Sequence, residues 1–141
     1  MRHTKLDQNH YCLILDKNEE IITSITSFCN DEKINNASFE AIGAVAKVTI
    51  GIFDKASKKY NNHTLTGDLE IISLLGNVVL KDNKPFAHAH IIVSDETCTC
   101  KGGHLINGNI SLTCEIFITT YEKNIRREPD ISLGIATIKF N

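Results

Sequence analysis

Most apolar residues of this chain lie in short runs rich in β-branched and aromatic side chains, and polar turn residues separate these runs. This pattern is typical of β-strands. Residues 110–121 form the clearest run, and shorter runs at 11–15 and 134–140 predict a first and a last strand. Two glycines interrupt the run at 38–53, which indicates a long strand with a bulge or bend.

One segment follows the period of a helix instead. Its apolar positions are Ile21, Ile22, Ile25, Phe28 and Cys29. Asp16 or Asn18 is suited to cap this helix, and Glu19 and Glu20 are favourable in its first turn. We expect the helix to end at residues 30–31, with room for a second short helix directly after it.

The other segments predict further strands joined by short turns. Residues 65–80 are predicted to form a strand pair or one long bent strand, with Gly76 at the bend. Turns are predicted at 81–84 and 106–109, and a charged loop at 122–130.

These elements define the expected fold. Most connections are too short for parallel crossovers, so the sheet should be largely antiparallel. Residues 1–141 are therefore predicted to form a single α+β domain, with six or seven strands flanked by one or two helices.

The segment 85–105 holds three of the six histidines and is predicted to form one β-hairpin around a turn at 94–97. His88 and His90 are two residues apart on a strand, so their side chains point to the same face. Antiparallel pairing brings His104 back beside them, within a residue or two of register. Three imidazoles are therefore expected to converge.

Such a cluster is suited to a divalent metal. Neutral imidazole is a good ligand for Zn²⁺ and other late first-row ions, so zinc is the expected cofactor, with a fourth position open to water or substrate. Gly102 and Gly103 would let the backbone pass close to the histidine pair. The alternative is that the three histidines are surface or interface residues without a metal. His3, His10 and His63 lack this context and are expected to be exposed.

The five cysteines do not indicate a disulfide framework. They are Cys12, Cys29, Cys98, Cys100 and Cys114. Their odd number, their wide spacing and the absence of a signal peptide argue against disulfides, and no Cys-x-x-Cys pair occurs. Cys98 and Cys100 are expected to be small, reduced core residues. The alternative is that they contribute a thiolate to a metal site.

Two carboxylates, Glu70 and Glu115, interrupt otherwise apolar strands. A buried carboxylate needs a partner. Each residue therefore lies at an exposed edge or subunit contact, or has a functional role beside the histidines. In that role it would orient a metal ligand or act as a general base.

Charge and hydropathy restrict the class of protein. A net charge of −2 at pH 7 argues against a dedicated nucleic-acid binder, although an oligomer could gather a local basic surface. No apolar run approaches the roughly 20 residues of a membrane span. The first residues lack the apolar core of a signal peptide. We expect a soluble, cytoplasmic protein.

Four segments, taken in order, resemble one known family. They are GDLEIISLLGN at 67–77, HAH at 88–90, GGHL at 102–105 and TCEI at 113–116. Together they resemble the plants-and-prokaryotes-conserved (PPC) domain in its stand-alone prokaryotic form, over roughly residues 11–140. The resemblance implies an antiparallel sheet flanked by helices, and a homotrimer whose sheets pack across subunit interfaces.

The resemblance also bears on function. Prokaryotic members with the HxH and GGH pattern resemble metal-binding proteins, and that pattern corresponds to His88, His90 and His104. In plants the domain follows AT-hook segments of nuclear DNA-binding proteins. This chain has no Arg-Gly-Arg-Pro hook, so DNA binding is not implied on that ground.

Three functions are consistent with these observations. The first is a trimeric metal-binding protein with a regulatory or DNA-associated role. The second is a metal-dependent hydrolase of an unknown small substrate, in which the metal lowers the pKa of bound water to about 7 and Glu70 or Glu115 is the base. The third is a structural role for the histidines in the trimer. Nucleophile elbows, phosphate loops and dinucleotide fingerprints are absent from the sequence, so we rank the binding protein first.

Overall fold

A computed structural model describes residues 1–123 and 125–140. Within them the chain forms eight strands and one helix, so the expected six or seven strands are corrected to eight, and the single helix agrees with the expectation of one or two. The strands are β1 (Arg2–Lys5), β2 (His10–Asp16), β3 (Ala37–Asp54), β4 (Lys59–Lys81), β5 (Lys84–Ser94), β6 (Cys100–Thr120), β7 (Arg126–Asp130) and β8 (Ile135–Lys139). The helix, α1 (Ile21–Asp31), lies between β2 and β3.

The eight strands belong to one mostly antiparallel sheet, as an α+β fold predicts. β3 pairs with β4 and β6, and β5 pairs with the same two strands, so these four strands form a closed ring. β1 and β2 extend the sheet beyond β6. β7 and β8 extend it beyond β4, where Leu80 pairs with Arg126 in parallel. The sheet is therefore mixed at this edge.

The helix packs on β5 and β6 and covers the core. Its predicted apolar stripe is confirmed, because Ile21, Ile25, Phe28 and Cys29 are buried and Ile22 packs at the edge. Burial of this stripe drives the helix against the sheet. It thereby supports the strand that carries two of the histidines.

The start of α1 differs from the prediction. Glu20, rather than Asp16 or Asn18, is the N-cap, and its carboxylate accepts the N–H groups of the first turn at 3.1 and 2.7 Å. The same carboxylate accepts the N–H of Gly108 at 3.0 Å, a contact across 88 residues that no local pattern reveals. The second helix expected near 31–36 is replaced by turns and irregular backbone. No helix in the described part of the chain is long and apolar enough to cross a membrane.

Two predicted loops are strands. Residues 106–109 continue β6, where Gly108 pairs with Val48 and is buried. A Cβ on Gly108 would lie 3.0 Å from Ile21 Cδ1, so this glycine permits close packing and does not mark a turn. The charged segment 122–130 includes β7, which pairs with β8 through its backbone although its own residues lack an apolar pattern. Strand β1 was missed because its four residues are polar and exposed.

The long strand β4 is continuous, which agrees with one of the two predicted forms. Its irregularity lies between Ile71 and Ser73, not at Gly76. Gly76 remains paired, and a Cβ there would lie 2.6 Å from the His88 carbonyl oxygen and 2.2 Å from Phe39 Cζ. Close approach of the neighbouring strands therefore requires this glycine.

Candidate metal centre

Strands β5 and β6 bring the three predicted histidines together. His90 pairs with His104 across the hairpin, and with Leu75 of β4 on its other side. His88 lies two residues earlier on β5, opposite Asn77, so it projects from the same face as His90. Backbone pairing inside the ring thus fixes the positions from which all three imidazoles project.

The three rings lie next to one another. Their centroids are 5.4 Å apart for His88 and His90, 4.9 Å for His88 and His104, and 5.7 Å for His90 and His104. Within the described residues, these three side chains form a group whose ligand atoms all lie within 4.8 Å of one another, and no thiolate or carboxylate belongs to it. The other histidines, His3, His10 and His63, are exposed, as predicted.

The spacing fits a metal ion after a small movement. Zn–N bonds of about 2.05 Å in a tetrahedron place two nitrogen ligands about 3.4 Å apart. Nitrogen atoms separated by 4.8 Å at most therefore need to approach by about 1.4 Å or less. Changes in side-chain torsion angles supply such shifts without moving the strands.

Burial and charge favour the neutral form of the His88 and His104 rings. His90 is exposed, whereas His88 and His104 are half-buried. Burial lowers the pKa of His88 to about 4, with further lowering by the positive charges of Arg127, His104 and His90. The pKa of His104 is also lowered, chiefly by burial and then by His90 and Arg127. Metal ions bind neutral imidazole, so protons compete weakly for these two rings near pH 7.

His104 offers a nitrogen that the protein itself does not use. Its ring stacks on Tyr60, with centroids 4.8 Å apart and an interplanar angle of 28°. Gly51 of β3 pairs with His104 of β6. A Cβ at Gly51 would lie 2.8 Å from Tyr60 Cδ1, so the glycine leaves room for the tyrosine ring. Nδ1 of His104 is buried without a hydrogen-bond partner in the described part of the chain. Because buried polar atoms are normally paired, this orphaned nitrogen fits a metal ligand.

Arg127 on β7 is a site residue that the sequence pattern did not indicate. Its Nη2 donates to His88 Nδ1 at 2.9 Å and to Asn77 Oδ1 at 3.3 Å, and its Nη1 donates to the Ala136 carbonyl oxygen at 3.1 Å. Burial lowers the pKa of Arg127, while Tyr60 acts in the opposite direction. The contact with His88 joins residues 39 apart, and the only signal was a basic pair in a segment predicted as a charged loop.

The two predicted carboxylates lie elsewhere. Glu70 is exposed and pairs with Ser94, four residues beyond His90 and roughly 13 Å further along β5. Glu115 is exposed and pairs with Ile42 of β3. Their roles as a base or as partners of the metal ligands stay predictions.

Cys98 and Cys100 are exposed, so the expectation that they are core residues is wrong. Cys98 lies in the turn before β6 with φ +62°, where Asp95 accepts the N–H groups of Thr97 and Thr99 at 2.9 and 3.1 Å. This turn, together with the end of the sheet, leaves both thiols in solvent. Neither thiol belongs to the histidine group.

The site lies on a sheet face with exposed apolar side chains. His90, Leu75, Glu40 and Phe117 pair in one row across β5, β4, β3 and β6, so their side chains share this face. Leu75 and Phe117 are 59% and 48% exposed. We call this surface the apolar face, formed by Ile42, Ile72, Leu75, Ile92 and Phe117. Exposed apolar patches of this kind are typical of binding surfaces.

A groove of about 470 Å³ adjoins the site. Its lining includes His90, Leu75, Ile92 and Lys101. The groove gives a ligand access to the exposed histidine and places a lysine beside that path.

Comparisons with known proteins support this description. The model of the Plants and Prokaryotes Conserved (PCC) domain matches residues 2–122. A plant- and prokaryote-conserved (PPC) protein from Pyrococcus horikoshii is 36% identical, with a TM-score of 0.89 over 95% of this chain and 93% of that chain. A metal-containing protein from Archaeoglobus fulgidus is 32% identical, with a TM-score of 0.85 over 95% and 98% of the two chains. A candidate DNA-binding protein from Bacteroides thetaiotaomicron is 26% identical, with a TM-score of 0.94 over 99% and 96%. No curated protein matches.

The family match covers most of the chain and includes all three clustered histidines, whereas Arg127 lies beyond it. The resemblance inferred from the four sequence segments is thereby confirmed. This chain belongs to the Plants and Prokaryotes Conserved domain family.

Proposed function

We propose that this protein is a homotrimer that binds a divalent metal, most readily zinc, and acts in regulation or in association with DNA. The observation that carries the proposal is the convergence of His88, His90 and His104 from two paired strands. Three neutral imidazoles form a good zinc site and leave a fourth position for a ligand. A metal held there would act as a Lewis acid toward an oxygen atom of that ligand. The description of the Archaeoglobus relative as metal-containing supports this reading.

A binding role suits the site better than hydrolysis. Hydrolysis with general-base assistance uses a side chain that takes a proton from the attacking water. Among the residues that the structure describes, the charged side chain in contact with the histidines is Arg127, and a guanidinium cannot accept a proton. The geometry therefore gives no specific support to the hydrolase alternative.

The apolar face supports the homotrimer. Leu75, Ile42 and Phe117 are each about half exposed, and burial of such side chains is favourable in a subunit interface. The subunit number of three comes from the family resemblance. Leu75 pairs directly with His90, so a subunit contact on this face would reach the edge of the metal site.

Association with DNA is the part of the proposal that rests on relatives. The Bacteroides structure is described as a candidate DNA-binding protein. The net charge of −2 means that binding would depend on basic residues gathered by the oligomer. Fluorescence anisotropy with duplex DNA at low salt tests this part, with zinc-loaded and metal-free protein. Zinc-dependent binding that falls steeply with salt is expected, and no binding at low salt would remove DNA from the proposal.

The test of the metal site is metal content by mass spectrometry on untagged protein. We expect about one zinc-like ion per chain in the wild type, and its loss in His90→Ala. His63→Ala is a matched control, because His63 is exposed and outside the cluster, and it should keep the metal. A wild-type protein that is empty and takes up no added zinc would overturn the proposal.

A further inference from the structure

Arg127 is a half-buried cation beside the metal site with no acidic partner. Its Nε is buried without a hydrogen-bond partner, and no ion pair in the described residues involves Arg127. Its two terminal nitrogens contact His88, Asn77 and the Ala136 carbonyl, which are all uncharged acceptors. A partly desolvated guanidinium is stabilised by an anion, so this cation, which has no acidic partner among the described residues, is suited to bind one.

The contact with His88 fixes the state of that ring. A guanidinium can only donate hydrogen bonds, so Nδ1 of His88 is the acceptor and its proton lies on Nε2. A neutral imidazole has one free lone pair, and here Arg127 occupies it. A metal on Nδ1 would displace Arg127. A metal on Nε2 would move the proton to Nδ1, where it would face the guanidinium donor. Metal binding at His88 therefore releases Arg127 from this contact in either case.

Release leaves two positive groups side by side. A bound divalent metal would carry two charges, and the freed guanidinium would keep its contacts with Asn77 and Ala136. This arrangement is unfavourable in a partly desolvated site unless an anion binds between them. The planar fork of a guanidinium matches the paired oxygens of a carboxylate or phosphate, and an open metal position accepts an oxygen.

We propose, on the basis of the proposed metal site, that the protein binds a small oxyanion together with the metal, and that Arg127 changes partner from His88 to this anion. The ligand is a compound with a carboxylate or phosphate group that contacts the metal with one oxygen and Arg127 with another. Lys101 in the adjoining groove adds positive charge along the access path. Metal and anion then bind cooperatively, because each compensates for the cost that the other creates.

Calorimetric titration of the full-length protein with Zn²⁺ tests this coupling. Three buffers of equal ionic strength contain chloride, acetate or methylphosphonate. In the wild type, one of the oxyanions should tighten zinc binding about tenfold relative to chloride. The more effective of the two identifies the carboxylate or phosphate class.

Arg127→Met and Arg126→Met form a matched pair of variants. Arg127→Met should bind zinc in chloride at least as tightly as the wild type, because nothing occupies the His88 lone pair, but it should lose the oxyanion effect. Arg126→Met removes an exposed charge from the neighbouring residue and should keep the effect. Circular dichroism melts check that both variants fold, and the uncharged Arg127→Gln replaces Arg127→Met if the latter does not.

The outcomes separate the two proposals. Zinc binding that is equally tight in all three buffers, or an oxyanion effect that persists without Arg127, would overturn the role of Arg127 and leave the metal site intact. Failure of wild type and variants to bind zinc in any buffer would overturn both.

Discussion

The histidine site depends on an uncharged ring at position 88. His88 is half-buried and lies 2.9 Å from a guanidinium nitrogen of Arg127, so a protonated ring would place two cations in contact. Burial and this neighbour lower its pKa to about 4, from an ordinary value of 6.5. The fold therefore stabilises the neutral imidazole, which is also the form that binds metal.

Acidification should destabilise the metal-free protein through His88. Between about pH 6.5 and 4 the unfolded chain binds this proton more tightly than the folded chain, so the free energy of unfolding falls as pH falls. Above pH 6.5 the contribution is constant. Urea denaturation at pH 7 and pH 5, in the presence of a metal chelator, measures the contribution of His88 to the free energy of unfolding. His88→Gln is the uncharged control. The wild type should lose more stability than the variant, and equal losses would show that His88 is not the source.

The sequence located the three histidines but not their surroundings. Residue spacing and hairpin pairing are local, so they sufficed to place His88, His90 and His104 together. Arg127 and Tyr60 reach the site through long-range pairing of other strands, which no local pattern records. The sequence also predicted correctly which histidines stay outside the cluster. His3, His10 and His63 have no histidine at strand spacing beside them, and none of them joins the group.

At the scale of elements, one carboxylate connects α1 to β6. Glu20 accepts two N–H groups of the first helical turn and also the N–H of Gly108. Residue Asn109 pairs with Glu20 through its backbone as well. The start of the helix is thus fixed to the strand that carries His104, and this contact aligns α1 over the core.

Replacement of Glu20 by Ala should therefore cost more than loss of an ordinary cap. Three N–H groups lose their acceptor, one of them on a buried glycine, and we expect a loss of about 1–3 kcal/mol in the free energy of unfolding. Urea denaturation of metal-free protein measures the loss. Glu96→Ala removes an equivalent carboxylate from an exposed turn and should change stability little. Similar effects of the two substitutions would contradict the role assigned to Glu20.

Elements with a strong apolar pattern were predictable, and elements held by backbone pairing alone were not. The buried stripe of α1 and the strand at 110–121 follow from side-chain periodicity. Strands β1 and β7 lack an apolar pattern, and they are strands because β1 pairs with β2 and β7 pairs with β8 and β4. Gly76 was predicted to mark a bend and Gly108 a turn, whereas both lie within strands where neighbouring atoms leave little room for a Cβ. Glycine is suited to a turn and to close packing alike, so the sequence does not distinguish the two.

At the scale of the whole molecule, the closed ring of strands and the proposed subunit contact involve opposite sides of the same sheet. The ring of β3, β4, β5 and β6 supplies all three histidines from one chain, so the cluster is complete without a partner. The apolar face lies on the outside of the same strands and contains side chains that the monomer leaves exposed. The histidine cluster and the proposed interface are therefore neighbours, and a substitution on the apolar face can test one without removing the other.

Phe117→Lys should dissociate the proposed trimer without removing the metal site. Phe117 is 48% exposed and pairs with Glu40, so a lysine there finds an opposite charge in the monomer but would be buried in an interface. We expect a loss of about 2 kcal/mol or more per interface, measured as a shift from trimer to monomer by sedimentation at several protein concentrations. Ile131→Lys changes an apolar residue that is 90% exposed in the β7–β8 turn, away from the apolar face, and should remain trimeric.

Monomeric Phe117→Lys should still bind zinc, because the three histidine ligands come from one chain. A monomeric wild type would refute the trimer, and loss of zinc on dissociation of a folded variant would show that the site needs a second subunit.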